Sequence, residues 1–158
     1  MIASLETHPI QYHAPLWREL NRLQNTPFEV WYLTRHALDD SYDEEFQTAF
    51  KWDVDLLDGY PYRFISEPAP SELGGFWDLK LPRDFRKQLK DSNIKVILIQ
   101  GWHFFACIKA IYLANSMGIS VWIRGDSNDL KIDSPLKHIV KRIILGSIFR
   151  RVDKFLCV

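Results

Sequence analysis

The sequence predicts an α/β domain with a doubly wound parallel sheet and helices on both of its faces. Two observations lead to this fold class. Strand-like segments alternate with helical segments along most of the chain, and the later strand segments are almost continuously apolar. Crossover helices bury parallel strands on both faces, which explains this composition. Right-handed crossovers then produce a doubly wound, Rossmann-like sheet.

The first part of the chain has β-α-β order. We predict strands at Ile2–Thr7, Phe28–Thr34 and Tyr62–Ile65 from their β-branched and aromatic composition. A helix is predicted after Pro9, because Leu16, Leu20 and Leu23 recur at helical spacing. An acidic patch and then several aromatic residues occupy the long insertion at residues 35–60, and the aromatic side chains favour an ordered insertion.

Regular alternation resumes after the loop that contains Gly74 and Gly75. Helices are predicted at Arg83–Ser92, at Phe104–Met117 and from Pro135 to about Arg150, and strands at Val96–Gln100, Ser120–Ile123 and Lys154–Val158. The 158 residues suit one domain with a proper core. Because the last strand segment coincides with the end of the chain, we expect a further domain or a partner chain to complete the protein.

The composition excludes several classes of protein. The 20 basic residues balance the 20 acidic ones, so no general attraction to nucleic acid is expected. Cys107 and Cys157 lie in apolar stretches and are predicted to be buried, reduced thiols. The chain has neither a signal-peptide pattern nor an apolar run of about 18 residues, so we expect a cytoplasmic protein.

Familiar cofactor and catalytic motifs are also absent from the sequence. It contains no GxGxxG after the first strand, no GxxxxGK[ST], no GxSxG and no His/Cys cluster with zinc spacing. A simple NAD-dependent dehydrogenase, a P-loop NTPase and a zinc enzyme are therefore disfavoured. We expect neither a metal nor another cofactor.

Candidate site residues follow three predicted strands. Ligands of open parallel sheets bind at the carboxyl ends of the strands, and the segments Thr7–His13, Gly101–His103 and Arg124–Ser127 fall there. His103 opens a helix, where its imidazole can donate to a sugar hydroxyl or a phosphate oxygen. The alternative is that it caps the helix or satisfies local backbone. Trp102, beside it, is a candidate substrate-binding residue.

The other two segments carry the remaining candidates. His8 and Gln11 either reach a ligand or serve the turn at Pro9, whereas His13 is predicted to support the site or to lie on the surface. Arg124 can bind a phosphate while Asp126 and Ser127 contact acceptor hydroxyls. The alternative is that Arg124 pairs with Asp126 only to fix the loop.

The last predicted helix, at residues 136–151, is amphipathic and basic. Its apolar residues are Leu136, Ile139, Val140, Ile143, Ile144 and Ile148, and its basic residues are Lys137, Lys141, Arg142, Arg150 and Arg151. Such a helix can lie on an anionic membrane surface. The more ordinary interpretation is a helix with a solvated basic face.

Five segments, taken in order, resemble the N-terminal domain of family 4 glycosyltransferases, which have the two-domain GT-B architecture. They are THPIQYHAPLWREL at Thr7–Leu20, KWDVDLLDGYPYRFI at Lys51–Ile65, VILIQGWHFFA at Val96–Ala106, RGDS at Arg124–Ser127 and FRRVDKFLCV at Phe149–Val158. The resemblance implies transfer of a sugar from a nucleotide-sugar donor to a glycan or lipid-linked acceptor. It also implies retention of configuration and no metal, with the donor acting as a substrate.

The same resemblance implies a division of labour. Residues 1–158 would be the acceptor-side domain, and a C-terminal domain that is not part of this chain would hold the nucleotide. His103 would contact the donor sugar, and the residues around His8 and Gln11 would face the donor diphosphate. The isolated half is expected to be inactive. Two alternatives stay open: a non-catalytic acceptor-binding or membrane-docking subunit that pairs with a separate donor-binding chain, and an inactive truncated remnant.

Overall fold

A computed structural model describes residues 1–36, 38, 41–43, 48–50, 55–66, 73–125 and 135–156. The strands in this part of the chain are β1 (Ile2–Glu6), β2 (Phe28–Tyr32), β3 (Ser41–Asp43), β4 (Thr48–Phe50), β5 (Tyr62–Phe64), β6 (Val96–Gln100), β7 (Ser120–Arg124) and β8 (Lys154–Leu156). The helices are α1 (Ala14–Leu23), α2 (Phe85–Asp91), α3 (Phe105–Ser116) and α4 (Pro135–Phe149).

Six of the strands form a single parallel sheet in the order β5-β2-β1-β6-β7-β8. Numbered along the chain within this sheet, the order is 3-2-1-4-5-6, which is the order of Rossmann-type sheets. The predicted α/β class with a parallel sheet is confirmed. The strand order reverses between β1 and β6, and in such sheets the crevice at this reversal is where ligands bind.

The two faces of the sheet bury different helices. On one face, the core includes Phe85 of α2, Ala110 of α3 and Ile148 of α4. On the other face, Val30 of β2 packs in a separate cluster with Trp17 of α1. Side chains alternate between the faces along each strand, so neighbouring residues of one strand belong to different clusters. The prediction of helices on both faces is therefore confirmed for the described residues.

Helix α1 begins later than the sequence predicts. Residues 11–13 form a turn instead of a first helical turn, because the N–H groups of His13 and Ala14 both donate to the carbonyl of Ile10. Within the helix, the leucines that predicted it remain 40–46% exposed; they are Leu16, Leu20 and Leu23. Trp17 and Ala14 supply the buried contacts of α1 instead.

The insertion between β2 and β5 contains a feature that the sequence analysis did not predict. Strands β3 and β4 pair antiparallel as a small separate sheet. Residues 55–60, at the end of the insertion, are ordered as predicted, since Leu56 and Tyr60 are buried. Arg18 of α1 donates to the backbone carbonyls of Asp55 and Asp58 and so joins this segment to the helix.

Two further expectations can be compared with the described residues. Cys107 is a buried free thiol, as predicted, and burial raises its pKa to about 12. Cys157 lies outside the described residues. Among the helices that the structure describes, none combines the length and the apolar composition needed to cross a membrane.

Candidate functional site

A polar cluster lies at the carboxyl ends of β1, β6 and β7, at the reversal of strand order. Glu6, Gln100 and Arg124 are the last residues of these strands, and Gln100 pairs in register with Arg124. Leu5 of β1 pairs with Ile99 of β6. The next residues, Glu6 and Gln100, therefore lie side by side at the ends of these two neighbouring strands. Leu5 and Ile99 belong to the core beneath α2 and α3. The three polar side chains therefore point to the opposite face, where α1 lies.

His13 joins the two charged members of this cluster. Its Nδ1 lies 3.0 Å from Oε2 of Glu6, and its Nε2 lies 3.1 Å from Nη1 of Arg124. A guanidinium can only donate hydrogen bonds, so Nε2 of His13 accepts. Nδ1 then carries the hydrogen and donates it to Glu6. The contacts thus select one neutral tautomer of His13, between a carboxylate and a cation.

Glu6 is an unusual residue for the interior of a sheet. Only 1% of its surface is exposed, and burial raises the pKa of its carboxyl group. The hydrogen bond from His13 and the positive charge of Arg124 act in the opposite direction. Its second oxygen, Oε1, has no hydrogen-bond partner among the described residues, and the same is true of Nε2 of Gln100. Buried polar groups are normally paired, so these two atoms are available to a hydroxyl group or a water molecule.

His8 lies in the loop between β1 and the polar turn. Its Nδ1 contacts Oγ1 of Thr7 at 3.0 Å, and its ring packs edge-on against His36. Burial lowers the pKa of His8 to about 4, and the nearness of two other imidazoles, His36 and His13, acts in the same direction. The imidazole is therefore neutral at physiological pH and can meet a phosphate only as a hydrogen-bond donor. Gln11 is half-buried in the same loop, and its side chain makes no hydrogen bond to the described residues.

The loop after β6 holds Trp102 and His103 in different environments. Gly101, with a φ of +81°, donates its N–H to the carbonyl of Arg124 at 2.8 Å. The ring of Trp102 packs against Gly125 and Phe149, so this side chain joins the ends of β6 and β7. The side chain of Trp102 therefore stabilises this edge of the site.

His103 is exposed, and its Nε2 donates to the carbonyl of Gly74 at 3.1 Å. Beside it, three exposed aromatic residues form what we call the aromatic platform: Phe76, Trp77 and Phe105. The ring centroids of Trp77 and Phe105 are 4.5 Å apart, and Trp77 is 64% exposed. The loop that carries the platform is fixed by the N–H of Phe105, which donates to the carbonyl of Phe76 at 2.8 Å.

Asp78 holds the other end of this loop. Its carboxylate accepts the N–H groups of Gly74 and Gly75 at 3.0 and 2.6 Å, and these hydrogen bonds lower its pKa. The charge of His103 lowers the pKa further, which places the imidazole within electrostatic reach of Asp78. The platform and His103 therefore belong to one ordered structure at the start of α3.

An apolar groove of about 300 Å³ lies on the same face of the sheet as the polar cluster. Its floor includes Ser4, Leu98 and Trp122, and α1 forms one wall with Leu20 and Leu23. Ser4 and Leu98 precede Glu6 and Gln100 by two residues on the same strands, so the groove leads up to the polar cluster. Together they form one continuous surface, which is apolar at the groove and polar at the cluster.

The structure brings some of the predicted site residues together and leaves others apart. Arg124 contacts His13 directly, and His13 lies close enough to His8 that a proton on His13 would disfavour one on His8. Within the described residues, no hydrogen bond connects His103 to either of them. Asp126 and Ser127 lie outside the described residues, so the predicted pairing with Arg124 stays a prediction.

Sequence reasoning missed Glu6, Gln100 and the aromatic platform, and it placed His13 in a minor role. One signal was present for Glu6, because it is the single charged residue of an otherwise apolar or small strand, IASLE. A carboxylate at the carboxyl end of such a strand faces the ligand-binding edge. The platform had no comparable signal, since Phe105 lies about 30 residues after Phe76 and Trp77 in a chain rich in aromatic residues.

Comparison of the chain with models of known families, with curated proteins and with solved structures found no match. Within the described residues, no group of His, Cys, Asp and Glu side chains is arranged to hold a metal ion. The polar cluster, the platform and the groove are therefore the features from which a function can be inferred.

Proposed function

We propose that this chain is the acceptor-side half of a glycosyltransferase of the GT-B type, which moves a sugar from a nucleotide-sugar donor to a glycan or lipid-linked acceptor. The observation that carries this proposal is the aromatic platform beside His103 at the carboxyl edge of the sheet. Sugar rings present apolar faces that stack on aromatic side chains, and their hydroxyl groups need polar partners nearby. The platform offers aromatic rings for stacking, and His103 offers a polar partner for a hydroxyl group.

The remaining residues take roles consistent with their positions. Arg124 binds a phosphate of the donor, because a guanidinium matches phosphate oxygens with two parallel hydrogen bonds. His8, neutral because of its lowered pKa of about 4, donates a hydrogen bond to the same diphosphate. Gln11, Asp126 and Ser127 contribute polar contacts to the substrates, and His103 contacts the donor sugar. The apolar groove supports a lipid-linked acceptor in particular.

Catalysis in such an enzyme depends on positioning and on charge. The bond between the anomeric carbon and the diphosphate oxygen breaks as the acceptor oxygen bonds to that carbon, and the proton of the acceptor hydroxyl passes to the leaving diphosphate. Arg124 stabilises the negative charge that develops on the leaving diphosphate. A second half that closes over this edge would exclude water and so limit hydrolysis of the donor.

Sugar binding to the isolated chain tests the acceptor role directly. We would record NMR spectra of the ¹⁵N-labelled chain with a panel of common mono- and disaccharides, and follow the indole N–H signal of Trp77. Weak, saturable shifts of this signal are expected, and Trp77→Ala should abolish binding. Tyr112→Ala is the matched control, because Tyr112 is an exposed aromatic residue on α3 two turns beyond Phe105. If no sugar shifts the Trp77 signal, or if both variants bind equally, the acceptor role is wrong.

A membrane-docking role is the second candidate, and one observation favours it. Ile143 and Ile144 of α4 are 66% and 50% exposed, next to the exposed Arg142, whereas Ile148 of the same helix is buried. Exposed isoleucines beside basic residues are typical of helices that lie on anionic membranes. This role is compatible with transfer to a lipid-linked acceptor at the inner face of a membrane.

A further inference from the structure

The face of the sheet that α1 covers contains several buried polar atoms without partners. Within the described residues, four buried side-chain atoms make no hydrogen bond, and all four belong to residues on this face: Oγ of Ser4, Oε1 of Glu6, Nε1 of Trp17 and Nε2 of Gln100. Buried polar groups are normally paired. These four atoms therefore form a set of free hydrogen-bonding positions under one helix.

Two of these atoms belong to residues that line the apolar groove. Ser4 forms part of its floor and Trp17 part of the wall that α1 contributes, and each residue is only 2% exposed. Bulk solvent therefore does not replace the missing partners. The hydroxyl group of Ser4 and the indole N–H of Trp17 can both donate. A carbonyl oxygen, which has two lone pairs, can accept from both of them.

The groove has the size and the lining that a short aliphatic chain needs. Its volume of about 300 Å³ lies at the lower end of the range for ligand pockets, about 300–1,000 Å³. The groove follows α1 from Trp17 past Leu20 to Leu23, and Leu98 and Trp122 lie across it on the neighbouring strands β6 and β7. Since these side chains are apolar or aromatic, burial of a hydrocarbon chain between them is favourable.

The polar cluster supplies the other two atoms. Glu6 lies two residues beyond Ser4 on β1, which is about 7 Å along the strand, and Gln100 lies beside it on β6. Oε1 of Glu6 can accept a hydrogen bond and Nε2 of Gln100 can donate one, so a single hydroxyl group can bond to both. The step from Ser4 to Glu6 is comparable with the distance between the carbonyl oxygen of a glycerol ester and a free hydroxyl group of the same glycerol unit.

We propose that the groove binds the acyl chain of a lipid ester, whose carbonyl oxygen accepts hydrogen bonds from Ser4 and Trp17. The head group of this lipid, a polyol, bonds to Glu6 and Gln100. The inference deepens the proposed function and rests on it for the role of this lipid as the acceptor. An isoprenoid chain also suits apolar walls, but it carries no carbonyl group and would leave both donors unpaired. The unpaired donors therefore favour an acyl lipid over a polyprenyl lipid.

Two soluble lipids that differ only in the carbonyl group test this site. Monooctanoyl glycerol is an ester, and octyl glycerol ether has the same head group and chain without the carbonyl oxygen. Each is titrated below its micelle concentration into the ¹⁵N-labelled chain, and the indole N–H signal of Trp17 is followed by NMR. The ester should bind severalfold more tightly than the ether and should move this signal downfield, because the indole N–H gains an acceptor. Ser4→Ala should reduce the advantage of the ester.

Two substitutions on α1 form a matched pair of variants. Leu20→Trp should weaken ester binding severalfold, because Leu20 lines the groove and is 40% exposed, so a larger side chain fills the groove without repacking the core. Leu16→Trp is the control, since Leu16 is 41% exposed and does not line the groove.

Three results would overturn the proposal: neither lipid binds, the ether binds as tightly as the ester, or the two leucine variants bind the ester equally well. The lipids contain no sugar and the signal belongs to Trp17. Failure of this experiment is therefore distinct from a failure of the sugar-binding test of the proposed function, which follows Trp77.

Discussion

Trp102 closes over Gly125 so tightly that a β-carbon at residue 125 would lie 2.7 Å from the indole ring. This contact holds the end of β7 against the loop that follows β6. Arg124 immediately precedes Gly125, and its carbonyl accepts the N–H of Gly101 at 2.8 Å. The position of the guanidinium over His13 therefore depends on a close approach that only glycine allows.

Gly125→Ala should destabilise the fold by about 1–3 kcal/mol, because the added methyl group has to displace a packed indole. Chemical denaturation measures this loss. Gly146→Ala is the control, since Gly146 lies within α4, three residues before its end, and nothing lies within 4 Å of the added β-carbon. That variant should gain up to about 1 kcal/mol from helix propensity. Equal effects of the two variants would contradict the packing argument at Gly125.

Glu6→Gln should change how stability depends on pH. The folded pKa of Glu6 is raised above the ordinary value of a glutamate carboxyl group, 4.5, so the folded state binds this proton more tightly than the unfolded state does. The wild type is therefore penalised for the buried charge, and the penalty grows as pH rises from about 4.5 through the folded pKa. The difference in unfolding free energy, variant minus wild type, should increase across that window.

Urea denaturation of both proteins at a series of pH values measures this difference. The neutral amide still accepts the hydrogen bond from Nδ1 of His13, which makes the comparison specific for charge. Glu19→Gln is a suitable control, because Glu19 is exposed and its pKa is lowered by the hydrogen bond from Arg22. The difference in unfolding free energy between Glu19→Gln and the wild type should not rise with pH in this range. If the difference in unfolding free energy between Glu6→Gln and the wild type does not change with pH, burial does not determine the pKa of this carboxyl group.

His8 should contribute a pH dependence of the opposite sign. Its folded pKa is lowered from 6.5 to about 4, so the unfolded state binds more protons between these values and stability rises with pH there. After allowance for solvent screening, the contribution is on the order of 2 kcal/mol. His8→Gln should remove it, and His103→Gln, at an exposed imidazole, should not. A His8 variant that loses stability below pH 6.5 as steeply as the wild type would contradict this prediction.

Replacing Ile143 and Ile144 together by serine should abolish binding to vesicles if α4 docks on membranes. Sedimentation with phosphatidylserine-containing vesicles should show binding of the wild type that weakens at high salt, and little binding to vesicles of phosphatidylcholine alone. Leu16→Ser on α1 is the control, because Leu16 is also exposed and does not line the apolar groove. If the α4 variant binds as the wild type does, another surface or no surface docks on the membrane.

The sequence predicts best the elements that are apolar in composition and buried in the structure. Strand β6 has the predicted bounds, Val96–Gln100, since it is an apolar segment between two turns. Helix α3 ends one residue earlier than predicted, and Gly118, with a φ of +69°, follows its last turn as expected. The start of α1 was wrong because backbone hydrogen bonds to Ile10, which leave no mark in the sequence, fix a turn there.

The candidate site was predicted only in its location. The rule that ligands bind at the carboxyl ends of parallel strands selected the edge of the sheet at which the structure places Arg124, His8 and His103. The connection from Glu6 through His13 to Arg124 depends on strand register, which places residues 6 and 124 on the same face of the sheet. Single-sequence reasoning contains no information about that register, so the partners of His13 could not be inferred.

The pairing of β1 with β6 also has a consequence for how the chain folds. Ile2 pairs with Val96, which are 94 residues apart along the chain. Contacts of such high sequence separation form slowly, because a long loop has to close before they are made. During synthesis, the central strand must wait for β6 to emerge from the ribosome, with only β2 beside it. Glu6 and Gln100 therefore meet late, and a chain that stalls before residue 100 presents an unpaired strand edge that favours aggregation.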